Sequence, residues 1–454
     1  GDSVVPPTAV TRANSSSSAS RFHDFLRHRE MDISQLPVRR RPPTPEPRRV
    51  AATVGEGDKR NFRVCNKIGC NDVADFTEVK GVARFVGDRM IIYEDQNSPA
   101  GFTDQDFASF GSQVENDLYV VATNAFGSES DVDGNGRVVI LLTPVVNGLT
   151  PASECASTIF TGFFFGVDID PAFENDDRSN QAEVFYALTP DPSGTAGCNI
   201  STSAVRQLVP VTFVHELQHM ISYNQHRLVR GGSKELLWLD EALSHLSEEL
   251  AGRFYLTQGD NDRFSQFAVA NLVNSYLYLE SPASFFALPS EGTGALEERG
   301  ASWLFLRWVL DRVGAERSRA LVETDLRGAA NIEAVVGEDI EDLLSDWSLA
   351  AMVSDLPDFA VPERLSFEFW RLRNVFAGFH DQSPSRFPLE FPIVPIVVQG
   401  GVANFGGTLR SGSADFFRLL QGANAPGFVL SLDDGAGGVP PAQAAIRLNI
   451  VRIR

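Results

Sequence analysis

The stretch Val209-Pro210-Val211-Thr212-Phe213-Val214-His215-Glu216-Leu217-Gln218-His219-Met220-Ile221 decides how the rest of the chain is read. Val211, Val214, Leu217, Met220 and Ile221 recur at three- and four-residue intervals, the spacing of one helical face. Pro210 is tolerable in a first turn or as a kink. His215 and His219 stand four residues apart, so a helix projects both imidazoles from the same side, one turn apart. Two imidazoles in that relation can bind one Zn²⁺, with Glu216 beside the open coordination position. The reading expects an active-site helix over about residues 203–226.

Past the break at Gly231-Gly232 comes Leu237-Trp238-Leu239-Asp240-Glu241-Ala242-Leu243-Ser244-His245-Leu246-Ser247-Glu248, a second strongly helical stretch expected over about 236–252. Such a helix could return across the first and present Glu241 to the metal. Two imidazoles, a carboxylate and a water make the open four-coordinate site of hydrolytic zinc. The longer metzincin pattern would place Gly at 222 and His at 225; the chain has Ser222 and Gln225, with His226 one residue out of register. If Glu241 were not the third ligand, His226, Glu235 and His245 would be next.

The pair His215-Glu-x-x-His219 and Trp238-Leu-Asp-Glu241-Ala-Leu-Ser resembles the gluzincin metallopeptidases, and within them the hyicolysin-type secreted bacterial peptidases. The resemblance covers about residues 100–350 and is specific at these two helices. It implies an α+β fold with a zincin-like core: a mixed sheet and an active-site helix, followed by a helical subdomain. It also implies His215, His219 and Glu241 as zinc ligands, Glu216 as general base and then general acid, and a protein or peptide substrate. Glu248, two turns beyond Glu241, would accept the second N–H of a ligand imidazole and fix its tautomer.

Two positions depart from the pattern. Asp240 replaces the usual Asn, and His245 stands where the thermolysin branch has Asp. His245 could be an extra ligand, a supporting donor or a surface residue. The oxyanion partner is not marked either. Glu298 and Arg299 precede Gly300 where relatives often carry Tyr, leaving Tyr255, Tyr276, Tyr278, Arg299 and His380 as candidates. A weak or inactive zincin scaffold serving as a surface or binding protein is the alternative reading.

The rest of the chain is read outward from this core. Residues 1–50, with Ser15 to Ser18 and an Arg/Pro-rich stretch, are expected to be a disordered tail, a plain linker first and a tether or pro-segment second. Residues 51–100 read as an N-terminal β module, with Gly87-Asp88 as a hairpin turn. Residues 101–385 form the expected metallopeptidase domain. Residues 390–454, with apolar runs at 428–432 and 446–453, suggest a small β-sandwich. Asp131, Asp133 and Asn135 open a candidate Ca²⁺ loop, but its twelfth position is Leu142, so a Gly-rich turn competes with that reading. The acidic run Asp168 to Asp177 is expected to be a solvated loop.

Composition sets the outer limits. Thirty-nine basic against 59 acidic residues give a net charge of −20, which repels phosphate backbones and argues against nucleic acid as a partner. No apolar run approaches the ~18 residues of a spanning helix. Four cysteines fit an exported protein, with Cys65–Cys70 and Cys155–Cys198 as the expected pairing among three connectivities. No leader is visible, and the polar opening is what a mature exported form would show. A secreted or cell-surface location, in a bacterium, is the expectation; oligomeric state is unreadable.

Overall fold

Val138-Val139-Ile140-Leu141-Leu142 is apolar at every position, a pattern that suits a strand covered on both faces. In the computed structural model, which describes residues 17–37, 54–399, 404–424, 427 and 429–453, it is the buried strand β4 (Val138–Leu142). Strands β1 (Lys59–Cys65), β2 (Phe76–Val86) and β3 (Met90–Asp95) form an antiparallel meander. Beyond it, β3, β4 and β6 (Val184–Ala187) run parallel, and β5 (Gly162–Phe164) closes the edge antiparallel to β6. The order across the sheet is β1-β2-β3-β4-β6-β5. The parallel β3–β4 step needs a crossover, supplied by α2 (Asp104–Gln113), a π-helical turn (Val114–Leu118) and α3 (Tyr119–Phe126). A short turn, α4 (Pro144–Asn147), follows β4.

This topology corrects the separate N-terminal β module expected for residues 51–100. Met90 to Glu94 pair residue by residue with Val138 to Leu142, so the meander is part of the central sheet. The cause is β3 itself: Met90, Ile91, Ile92 and Tyr93 are all buried and need cover on both faces. The Gly87-Asp88 turn is present, and Glu115 Oε1 accepts from the Asp88 and Arg89 amides at 2.8 and 3.2 Å.

The expected disordered tail is corrected over part of its length. Ser17 caps α1 (Ser18–Ile33), its hydroxyl accepting from the Ser20 amide. Phe22, Leu26 and Ile33 are buried, which stabilises the helix by roughly 2 kcal/mol each. Phe22 packs edge-on against Phe160 and Phe163 with ring centroids 5.0 and 5.3 Å apart. Residues 1–16 and 38–50 of the expected tail lie outside the described residues.

Both expected site helices form. The first is α5 (Thr202–Tyr223), which contains Pro210 and continues as a π-helical turn, Asn224–Val229. The second is α6 (Leu237–Thr257). Behind them lie α7 (Asn261–Leu279) and α8 (Leu296–Val313). A Cβ on Gly300 would stand 2.3 Å from the Asn274 carbonyl carbon, so glycine is what lets α8 close onto α7. Helices α9 (Ser318–Val322), α10 (Gly328–Val336), α11 (Ile340–Val353) and α12 (Leu372–Gln382) complete the helical half. The arrangement is α+β.

The C-terminal β-sandwich is not what the described residues show. β7 (Ile396–Gln399) and β8 (Phe417–Leu420) form a two-stranded parallel pair, mostly exposed. Val429 to Leu432 and Ile446 to Ile453 carry no strand, and Phe428 lies outside the described residues. The expected solvated loop is corrected in its first part only, Glu174 and Asp177 being exposed as expected. Asp168 and Asp170 are 1% exposed, fixed by Tyr186 and Asn180 in one case and by Tyr223 and Arg227 in the other. Bridges Cys65–Cys70 and Cys155–Cys198 follow the expected pairing. Among the described residues no helix is long and apolar enough to cross a membrane.

Candidate metal centre

Helix α5 presents His215 and His219 on one face, and α6 crosses it to bring Glu241 opposite. The two Nε2 atoms are 3.2 Å apart. Glu241 Oε1 is 3.4 Å from His219 Nε2, and its Oε2 is 3.8 Å from His215 Nε2. All three residues are buried. Zinc at ~2.0–2.1 Å from tetrahedral donors sets donor–donor edges of about 3.3 Å, which these separations approach. Glu241 Oε2 is a buried acceptor without a hydrogen-bond partner, as expected of an atom reserved for a cation. The residues present therefore fit a divalent ion.

Each imidazole is held from behind. His215 Nδ1 lies 2.7 Å from Glu248 Oε1, the carboxylate that the resemblance implied would back one of the imidazoles. His219 Nδ1 lies 2.8 Å from Asp240 Oδ2, which also meets Lys234 Nζ at 2.9 Å. A proton on each Nδ1 leaves each Nε2 lone pair facing the centre. Asp240, noted from sequence only as a departure, thus does for His219 what Glu248 does for His215. Burial opposes the charge on Asp240, but Lys234 and His219 hold its carboxyl well below the usual range. Burial likewise opposes the charge on Glu241, but the Arg299 guanidinium and hydrogen bonds from the His219 and His23 rings hold its carboxyl well below the usual range. His219 is raised against the opposing effect of burial, by Asp240.

Glu216 is 2% exposed, and its Oε2 accepts from the Phe164 amide on the β5 edge at 2.9 Å. His245 is buried, which removes the surface alternative. Its Nδ1 is 3.3 Å from Glu248 Oε1 and its ring centroid 5.0 Å from that of His215, so it shares the carboxylate behind a ligand candidate. His226 and Glu235 are elsewhere: Glu235 accepts from the Gly328 amide and Asn331, with His226 Nε2 3.9 Å away.

The sequence did not mark His23. Helix α1 lays it over the centre, with Nε2 2.8 Å from Glu241 Oε1. His23, His215, His219 and Glu241 each offer an atom within 4.8 Å of the others. Burial lowers the His23 pKa to about 3, so the ring is neutral. One turn on, Arg27 is fully buried; its Nη2 donates to Phe164 O at 2.9 Å and to Glu216 Oε2 at 3.4 Å. The available signal was Phe22, Leu26 and Ile33 at helical spacing behind Ser17.

Of the oxyanion candidates, Arg299 reaches the centre, Nη1 standing 3.9 Å from Glu241 Oε2. Tyr255 bonds Gln113 and Asp117, Tyr276 meets Leu389, Tyr278 stacks on Trp347, and His380 bonds Phe387. In the candidate calcium loop, Asp131 and Asp133 come near Glu183, while Asn135 is taken up by Asp133 and the Arg137 amide.

No protein-family model matches the chain. Over 149 residues it is 31% identical to a neutral metalloprotease, ShpI, from Staphylococcus hyicus. The match covers 33% of this chain and 31% of that protein, so the chain spans less than a third of its relative's length. This likeness supports a metallopeptidase relationship.

Proposed function

We propose that the chain is an exported zinc endopeptidase of gluzincin type on a zincin-like core. In this reading His215, His219 and Glu241 hold Zn²⁺ and Glu216 is general base and acid. The observation that carries it is the convergence of two imidazole Nε2 atoms and one carboxylate in a buried site, each ring backed by its own carboxylate. The metalloprotease likeness supports a peptide substrate and a bound metal, and the two disulfides suit an oxidising compartment.

When bound, zinc supplies a water of lowered pKa and polarises the scissile carbonyl. The rest falls to the chain. The Phe164 carbonyl, which Arg27 Nη2 holds at 2.9 Å, would give an extended peptide a backbone acceptor at the β5 edge once Arg27 is displaced. Glu216 takes the water proton and returns it to the departing amine. Arg299 offers positive charge to the oxyanion. Asp240 and Glu248 keep both rings oriented so that the ligand set does not reorganise.

The test is zinc content beside hydrolysis of a fluorogenic peptide. Glu216→Gln should keep about one zinc per chain and lose roughly 10³-fold in rate. Glu241→Ala should lose the zinc. Equal zinc in wild type and Glu241→Ala, or full activity in Glu216→Gln, overturns the assignment.

A further inference from the structure

Helix α1 lies across the candidate metal centre. Its N-terminus is tied to Glu154, whose carboxylate accepts from the Ser18 amide at 2.7 Å and the Ser18 hydroxyl at 3.0 Å. In mid-helix, Asp24 Oδ1 accepts from the amide and hydroxyl of Thr293 at 2.9 and 3.2 Å, and Thr293 in turn holds Arg299. Glu30 accepts from the Gly166 amide at 3.1 Å and pairs with the buried Lys234. Past the helix, Arg227 donates to the Ile33, Ser34 and Leu36 carbonyls. These anchors come from both the sheet side and the helical side, so α1 bridges the cleft.

Two residues of α1 meet the groups that catalysis would need. His23 points Nε2 at Glu241 and completes a four-donor cluster with His215 and His219. Arg27 takes the outward carbonyl of Phe164, and Glu216 takes the outward amide, so neither β5 edge group is left for an added strand. Arg27 also holds Glu216 Oε2, the carboxylate that would receive the water proton.

We propose that α1 is an inhibitory segment of this chain, with His23 the fourth ligand of the metal held by His215, His219 and Glu241. The inference rests on the metallopeptidase reading and adds its regulation. Four protein donors make the closed site typical of structural zinc, with no position for water. Activity then requires α1 to leave, which frees the fourth position, the Phe164 carbonyl and Glu216 together.

The test uses the full chain with Co²⁺ in place of zinc and azide as a small probe of the fourth position. Visible absorption reports the cobalt ligands directly. In wild type, azide should leave the spectrum unchanged; in His23→Ala it should bind at least about tenfold more tightly and shift the bands. His23→Cys should add a near-ultraviolet thiolate-to-cobalt band, a readout that a merely structural role for His23 would not produce. Thermal unfolding of both variants checks that the fold survives, and His23→Cys keeps the question answerable if His23→Ala unfolds. Peptide hydrolysis should rise at least about tenfold in the double variant His23→Ala/Arg27→Gln, where both contacts are gone. Cobalt equally open to azide in wild type and His23→Ala, with no thiolate band in His23→Cys, overturns the inference and leaves the metal site standing. Absence of cobalt from wild type overturns the metal site and the inference with it.

Discussion

Helix α1 and the longer C-terminal segment from Ile396 both carry apolar patterns outside the central sheet and helices, and they meet opposite fates. α1 buries Ala19, Phe22, Leu26 and Ile33 together with Arg27 and Glu30, whose charges are paired with the cleft. The C-terminal segment leaves Val429 95% and Ile450 71% exposed, and among the described residues its two strands pair with each other alone. Apolar spacing is similar in kind; the receiving surface differs. The cleft between β5, α5 and α8 offers rings to pack on and polar groups to satisfy, so ordering α1 recovers its entropy cost. Among the described residues no further strand joins the C-terminal pair, and although Phe416 and Val451 touch the core, a two-stranded ribbon by itself is marginal.

The largest effect that sharpens this contrast comes from the floor beneath α1. Asp168 closes the short turn whose Gly166 amide bonds Glu30. Burial lifts its carboxyl to about 7, against the hydrogen bonds of Tyr186 and Asn180. The folded pKa exceeds the unfolded one, so the folded state keeps a proton that the unfolded chain has released. That contribution is complete below about pH 4, falls as pH rises to about 7, and is flat above. Asp168→Asn cannot ionise. Its urea-unfolding free energy relative to wild type should therefore improve by on the order of 4 kcal/mol between pH 4 and 7.5. A difference that does not change with pH would contradict the burial argument.

The next effect concerns docking itself. Phe22→Ala should weaken α1 against Phe160 and Phe163 by about 3 kcal/mol, so α1 amides should exchange roughly a hundredfold faster while those of α5 do not change. Uniform acceleration across the chain would mean that α1 is part of the global unfolding unit. The smallest effect is at the other end: Val429→Ser should alter the unfolding midpoint by less than about 0.5 kcal/mol equivalent, and a larger loss would reveal a partner surface for that segment.

How much of this was legible in the sequence follows the same logic. His215 and His219 could be proposed as a pair because helical spacing puts them on one face, which a sequence records well, whereas the roles given to Glu241 and Glu248 leaned on the resemblance to the gluzincins. Asp240 looked like an exception because its partner, His219, lies on another helix. His23 was hidden because Pro- and Arg-rich flanks dominate the composition of residues 1–50, and because Arg27 and Glu30 interrupt the apolar stripe of α1. Their burial depends on Glu216, Phe164 and Lys234, contacts that no local pattern announces. The joining of β3 to β4 is long-range pairing of the same kind. The excess strand expectation at 428–453 came from apolar runs read without asking what would cover them.

The most direct measurement is anomalous diffraction from crystals of the zinc-loaded protein, collected on both sides of the zinc edge. The account predicts one strong peak bounded by His215 Nε2, His219 Nε2 and the Glu241 carboxylate. A peak instead between His245 and Glu248, or no peak beside Glu241, would contradict it.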